Sequence, residues 1–145
     1  MDAVAERNKR KVRFFVDAVW NEGRIELIDE LVAEDYVGHV ARFDAGVLGP
    51  GGVRRLVSSR RRALPGLHVQ IDDQVAEDDL VVTRWRATAS RLGRASDFRA
   101  PCCVGISIIR LLAGKQVDCH ELCAELGERD PSSIGARTVD LHDDA

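Results

Sequence analysis

The hydrophobic period of this chain changes once, from about 3.6 residues to two, at Pro65-Gly66. Upstream, Val4, Val12, Phe15, Val16 and Val19 recur with charged residues between them, which predicts an amphipathic helix over residues 3–20, closed by Asn21-Glu22-Gly23. Arg24 to Val32 repeats the pattern with Ile25, Ile28, Leu31 and Val32 on one stripe. Residues 33–52, AEDYVGHVARFDAGVLGPGG, are read as loop and turn because of their glycines and proline. Val53 to Leu64 is a third helix whose outer face is Ser-Ser-Arg-Arg-Arg. Downstream, Leu67–Ala76, Leu80–Ser90, Phe98–Leu112 and Lys115–Leu126 alternate or carry the Val, Ile, Thr and Trp content of strands. Turn signals at Glu77-Asp78-Asp79, Leu92-Gly93-Arg94 and Ala113-Gly114 separate them.

Helices followed by a meander give an α+β fold: three N-terminal helices packed on a curved four-stranded antiparallel sheet, forming a cone with an internal pocket. A length of 145 residues suits one domain. Residues 1–127 are assigned to it and 128–145 to a polar, poorly ordered tail. A net charge of −3 gives no general attraction to polyanions, so no nucleic-acid partner is expected. No apolar run approaches the ~20 residues of a membrane span, and MDAVAERNKRKVRFF lacks the apolar core of a secretory signal, so a cytoplasmic location is expected. Cys102, Cys103, Cys119 and Cys123 then default to thiols.

Several stretches, in order, carry a family resemblance: FFVDAVWN at 14–21, LVAEDYVGH at 31–39, GPGGV at 49–53, ALPGLHV at 63–69, VVTRW at 81–85, GISIIR at 105–110 and Gly114-Lys115. Over residues 10–127 the chain resembles the SnoaL-like polyketide cyclases of the nuclear-transport-factor-2-like superfamily. The resemblance implies intramolecular aldol ring closure by an acidic residue, with no metal or organic cofactor. It also implies a catalytic Asp on the last strand, which an ungapped match places at Ala124, with His120 at a neighbouring aromatic position. The superfamily fold also hosts hydrolases, isomerases and binding modules, so the site has to be argued from its own residues.

The last strand, VDCHELCAELG at 117–127, concentrates the chemistry-bearing residues. A three-residue hairpin loop at Leu112-Ala113-Gly114 would set Ile106 opposite His120, Arg110 opposite Gln116, Val104 opposite Leu122, Cys102 opposite Ala124 and Cys103 opposite Cys123. Alternation then puts His120, Asp118, Leu122, Ala124, Ile106 and Arg110 on one face, read here as the pocket face. His120 and His39 are the candidate acid/base pair, since imidazole titrates near ~6.5. Asp118 would orient or tune His120, and Arg110 or Arg84 would hold an enolate or carboxylate oxygen. Tyr36, Trp20, Phe15 and Trp85 are candidate pocket walls for an unsaturated substrate. A zinc site is disfavoured, because alternation separates His120 from Cys119 and Cys123 and no Cys-x-x-Cys turn exists. Arg60-Arg61-Arg62 reads as a solvated helix face.

The functional expectation is a cofactor-independent cyclase or isomerase of a polyketide-like or other small apolar biosynthetic intermediate, working without the usual Asp. The alternative is a non-catalytic binding or accessory protein; a hydrolytic reading has the residue types without an arrangement. A homodimer is expected, with Cys103, Val117 and Cys119 on the covered outer sheet face.

Overall fold

Asp2 caps the first helix by accepting a 2.9 Å hydrogen bond from the Val4 amide. Helix α1, Ala3–Phe15, turns Val12 and Phe15 inward and continues as a π-helical segment, Val16–Asn21. In this computed structural model residues 2–40, 46–90 and 99–126 are described. A 3-10 turn, Ile25–Leu27, leads into α2, Ile28–Leu31. Strands β1, Val32–Val40, and β2, Val47–Leu48, follow, then α3, Gly49–Ala63. The remaining strands are β3, His68–Glu77, β4, Leu80–Ser90, β5, Arg99–Leu112, and β6, Lys115–Glu125. The expected tail, 128–145, lies outside the described residues.

The sheet is mixed and six-stranded, in the order β2-β1-β6-β5-β4-β3, not the four-stranded antiparallel meander expected. The two additional strands come from the segment read as loop. Glu34, Asp35 and Gly38 weaken its strand signal, yet Val32, Tyr36, Gly38 and Val40 are all buried as β1 runs parallel to β6. Helix α3 begins four residues earlier than expected, because Pro50 in its first turn is preset for helix and its lost amide would have had no partner there.

The β5–β6 hairpin closes through two residues, Ala113 and Gly114, with φ of 51° and 78°, the pair of positive values a type I′ turn requires. Leu112 therefore pairs with Lys115 and Leu111 with Gln116, after which a bulge at Val117 moves the register. Beyond it Arg110 faces Asp118, Ile108 faces His120, Ile106 faces Leu122, Val104 faces Ala124, Gly105 faces Cys123 and Cys103 faces Glu125. The expected Cys103–Cys123 pairing is absent and all four cysteines are free.

The helices cover one sheet face. Val12 meets Val81, Ile109 and Leu111 near one end, while Phe15, Val19, Ile28, Val32, Tyr36 and Val57 form the main cluster; burying each such side chain contributes about 1.5–3 kcal/mol. Asn21 ties the helical layer to the edge strand β3: its Nδ2 donates to the Val69 carbonyl at 2.9 Å and its Oδ1 accepts from the Val69 amide at 2.7 Å. Arg61 Nη1 donates to the Trp20 and Asn21 carbonyls at 2.6 and 2.9 Å, so this guanidinium is not the solvated one expected but a clamp on the end of the π segment. Asn21→Ala removes two backbone-directed hydrogen bonds and is expected to destabilise by about 2 kcal/mol, read from the shift in denaturant midpoint at unchanged m-value.

Candidate active site

Between the helices and the inner sheet face lies a chamber with a cavity of about 110 Å³, several times the ~10–15 Å³ a single water needs. Phe15, Trp20, Tyr36 and Leu56 line it from the helices and β1, and Thr83 and Trp85 from β4. The inner residues of β5 here are Cys103, Ser107 and Ile109, and those of β6 are Gln116, Cys119, Glu121 and Cys123. Four candidate walls, Tyr36, Trp20, Phe15 and Trp85, are thus at the chamber.

The bulge decides which face of β6 looks inward. Gln116 is buried and lines the chamber; strict alternation from it would carry Asp118 and His120 in as well. The extra residue at Val117 reverses the phase, as one inserted residue flips every later side chain. Cys119, Glu121 and Cys123 consequently point inward. His120, Asp118, Leu122, Ala124, Ile106 and Arg110 do share a face, but it is the outer one. Ala124 is therefore not a position from which an acid could reach the chamber.

On that outer face Arg110 pairs with Asp79 at 2.7 Å and Asp118 at 3.4 Å, and Arg84 pairs with Asp73. Neither guanidinium reaches the chamber. Arg84, Ile106, Leu122 and Ala124 instead border a shallow outer hollow with Asp72 and Val104. His39 and His120 are brought together as register neighbours on β1 and β6, their rings stacked with centroids 4.4 Å apart and planes at 14°. Both are exposed, so the imidazole pair exists but outside.

Glu121, which the sequence reading passed over, is the carboxylate lining the chamber among the described residues. The Trp85 indole Nε1 donates to Ser107 Oγ at 3.0 Å, and Ser107 Oγ donates to Glu121 Oε1 at 2.9 Å. Indole nitrogen only donates, so the serine oxygen must accept from it and turn its proton to the carboxylate. Burial raises the Glu121 pKa above the usual carboxylate value, against the opposing Ser107 hydrogen bond and the Arg60 charge. Burial likewise pushes the thiols of Cys103 and Cys119 up to about 12 and raises the Tyr36 phenol. Those two thiols and the phenol stay neutral near pH 7, and Glu121 is the chamber carboxylate able to exchange a proton.

Glycines shape this site. A Cβ at Gly105 would collide with the Trp85 ring and lie 2.9 Å from the Leu122 carbonyl oxygen, so its absence lets the indole lie across β5 toward Ser107. Tyr36 covers Gly38 in the same way, a Cβ there falling 2.9 Å from its hydroxyl oxygen. Ser107→Ala removes the donor that favours the ionised carboxylate, so the Glu121 pKa is expected to rise further, moving the acid limb of any Glu121-dependent rate to higher pH; a pH–rate profile reads this directly.

A sequence model described as SnoaL-like polyketide cyclase matches residues 10–121. The chain belongs to this family. A solved structure of a proposed SnoaL-like polyketide cyclase from Jannaschia sp. CCS1 superposes with a TM-score of 0.72 at 17% identity, over 85% of this chain and 89% of that one. A proposed polyketide cyclase from Acidithiobacillus ferrooxidans gives 0.71 at 22%, over 85% and 91%. AclR, a proposed hydroxylase from Streptomyces galilaeus, gives 0.67 at 20%, over 83% and 90%. At these identities the likeness establishes the fold. No curated protein matches the chain. Among the described residues no helix is long and apolar enough to cross a membrane, and no group of three His, Cys, Asp or Glu side chains is arranged to hold a metal ion.

Proposed function

We propose that this protein is a cyclase or isomerase of a small, largely apolar biosynthetic intermediate of polyketide type, with Glu121 as its proton-transfer group. The observation that carries the reading is a half-buried carboxylate on the last strand, lining a largely apolar chamber and held by a directed Trp85–Ser107 hydrogen-bond chain. Ionised Glu121 would take a proton from carbon next to a carbonyl, giving an enolate. That carbon would form the new bond to a second carbonyl carbon of the folded chain, and the resulting alkoxide would take the proton back from Glu121. A raised pKa suits both steps, since acid and base forms are then both accessible nearer neutral pH. The aromatic walls would fold the chain so that the reacting carbons meet, an effect that can supply several kcal/mol, ~7–11 in the best cases. A carboxylate lining the chamber at Glu121 speaks against the missing-acid argument for a binding-only role.

The test needs no natural substrate. 5-Nitrobenzisoxazole loses a carbon-bound proton to any desolvated carboxylate base that it can reach. The full chain is expected to accelerate this elimination, with a rate that rises with pH through the Glu121 pKa. Equal rates with the wild type and Glu121→Gln would overturn the reading.

We also propose that the chain self-associates through the outer sheet face. Its residues differ from those expected: Cys103 and Cys119 line the chamber, whereas Ile106 is 49% and Leu122 70% exposed, beside Val104 and Ile108. A contiguous apolar face of this kind is unusual on a monomer. Sedimentation at micromolar concentration is expected to give a dimer, and Ile106→Glu a monomer that keeps its fold.

A further inference from the structure

The two imidazoles that stand outside the chamber still form a unit. His39 on β1 and His120 on β6 are partners in a parallel ladder, so their side chains leave the sheet on the same face, and their rings stack with centroids 4.4 Å apart and planes at 14°. Both are exposed. Imidazole is the commonest protein ligand for divalent transition-metal ions such as Zn(II), Ni(II) and Cu(II). Two nitrogens bound side by side to one ion, each at ~2.0–2.1 Å, stand roughly 3 Å apart. The stacked rings reach that separation by tilting toward each other, and their exposure leaves room for the tilt.

The surroundings set the rest of the coordination. Ile108 faces His120 from β5 and Leu122 follows on the same face, so one flank is apolar. Asp118, the acid two residues earlier on this face, is engaged by Arg110 Nε at 3.4 Å. Cys119 and Cys123 point the other way, into the chamber. The protein thus offers two nitrogens here, in keeping with the lack of a three-residue metal cluster among the described residues.

We infer that His39 and His120 form a chelating site for a divalent transition-metal ion on the outer sheet face, one nitrogen from each ring holding the ion and water filling its remaining positions. The site does not involve Glu121 and rests on no turnover. The two histidines are far apart in the sequence and meet only through the β1–β6 ladder, so the native chain offers a pair where the unfolded chain offers single imidazoles. The second nitrogen binds an ion already tethered by the first, which makes the pair a stronger ligand than two separate rings. An ion seated there clasps β1 to β6 and stabilises the native state by mass action.

Calorimetric titration of the full chain, carrying no polyhistidine tag, with Ni(II) at pH 7.5 tests this. Nickel suits imidazole and, unlike Cu(II), does not oxidise the chain's thiols. The expected result is one ion per chain, with His39→Asn and His120→Asn each weakening binding by at least about tenfold and the double variant little weaker than either. His68→Asn, on the far edge strand β3, should leave the affinity unchanged. One equivalent of Ni(II) should broaden the ring resonances of both His39 and His120 in the proton NMR spectrum, a readout on the wild type that carries the test if a variant does not fold. Saturating Ni(II) should raise the melting temperature of the wild type and not that of the double variant. The titration is repeated on Ile106→Glu, so that association through this face does not hide the pair. Loss of half the sites at unchanged affinity in each single variant would mark two independent surface imidazoles and overturn the inference. Broadening of one ring alone, a nickel–thiolate absorption band, binding that survives in the double variant, or no binding at millimolar Ni(II) by either the wild type or Ile106→Glu would overturn it as well.

Discussion

Glu121→Gln is expected to lower proton abstraction about a hundred- to ten-thousandfold, the usual contribution of a positioned acid/base group, while raising thermal stability at neutral pH. The fold should survive because the amide oxygen can still accept from Ser107 Oγ, and the side chain keeps its size. The stability gain follows from the sign of the linkage. Glu121 has a folded-state pKa above its unfolded value, so the native state binds more protons in the window between them, and stability falls as pH rises through that window. The wild type carries this loss fully above the folded pKa; Gln has nothing to ionise. Melting curves should therefore diverge with rising pH, the variant melting higher at pH 8 and little differently near pH 4. Loss of activity together with a gain in stability separates a working group from a structural one.

Gly105→Ala is expected to destabilise by about 3 kcal/mol, the upper part of the range for overpacking, which for a chain of this size lowers the melting temperature by about 10 °C. Two neighbours create the effect. The Trp85 indole is a rigid plane with no slack, and the Leu122 carbonyl oxygen belongs to the backbone of the paired strand. If the ring yields, its Nε1 leaves Ser107, and the Trp85 emission spectrum should shift as the indole changes surroundings. Trp85→Leu in the same chain should recover part of the lost stability. Such non-additivity is the signature of direct contact.

Much of the architecture is written in period and punctuation. The boundaries of β4 follow from alternation, and the β3–β4 and β5–β6 hairpins from Asp78-Asp79 and Ala113-Gly114. β1 was illegible because acidic residues and glycine dilute its strand character, and it gains its stability from pairing with β6, far away in the sequence. A tertiary partner can override local propensity in this way.

The site was harder to read, for a specific reason. On β5 the more apolar series is Val104, Ile106 and Ile108, which hydrophobic logic assigns to the core, while Cys103, Gly105 and Ser107 look like the outer face. The structure inverts this. A hollow needs small side chains on its wall, so the chamber face of the strand is the less greasy one, and the apolar series faces outward. The Val117 bulge then settles the phase of β6, and no composition signal marks it. A cue was nonetheless present: Ser107 pairs across the hairpin with Glu121, the acid of the inner β6 face, and a serine beside an acid is a small network awaiting a pocket. Arg60 and Arg61 were hidden by their run, since three consecutive arginines read as surface, whereas Arg60 lines the chamber and Arg61 donates to the Trp20 and Asn21 carbonyls.

The central claim is that Glu121 is a desolvated, proton-exchanging acid inside the chamber. A carbon-13 NMR titration of side-chain carboxyl groups, with the Glu121 resonance assigned by its loss in Glu121→Gln, measures that state without a substrate. The account predicts a midpoint clearly above the ~4.3 of an exposed glutamate, moving higher still in Ser107→Ala. A midpoint at or below the exposed value, unmoved by Ser107→Ala, would contradict it.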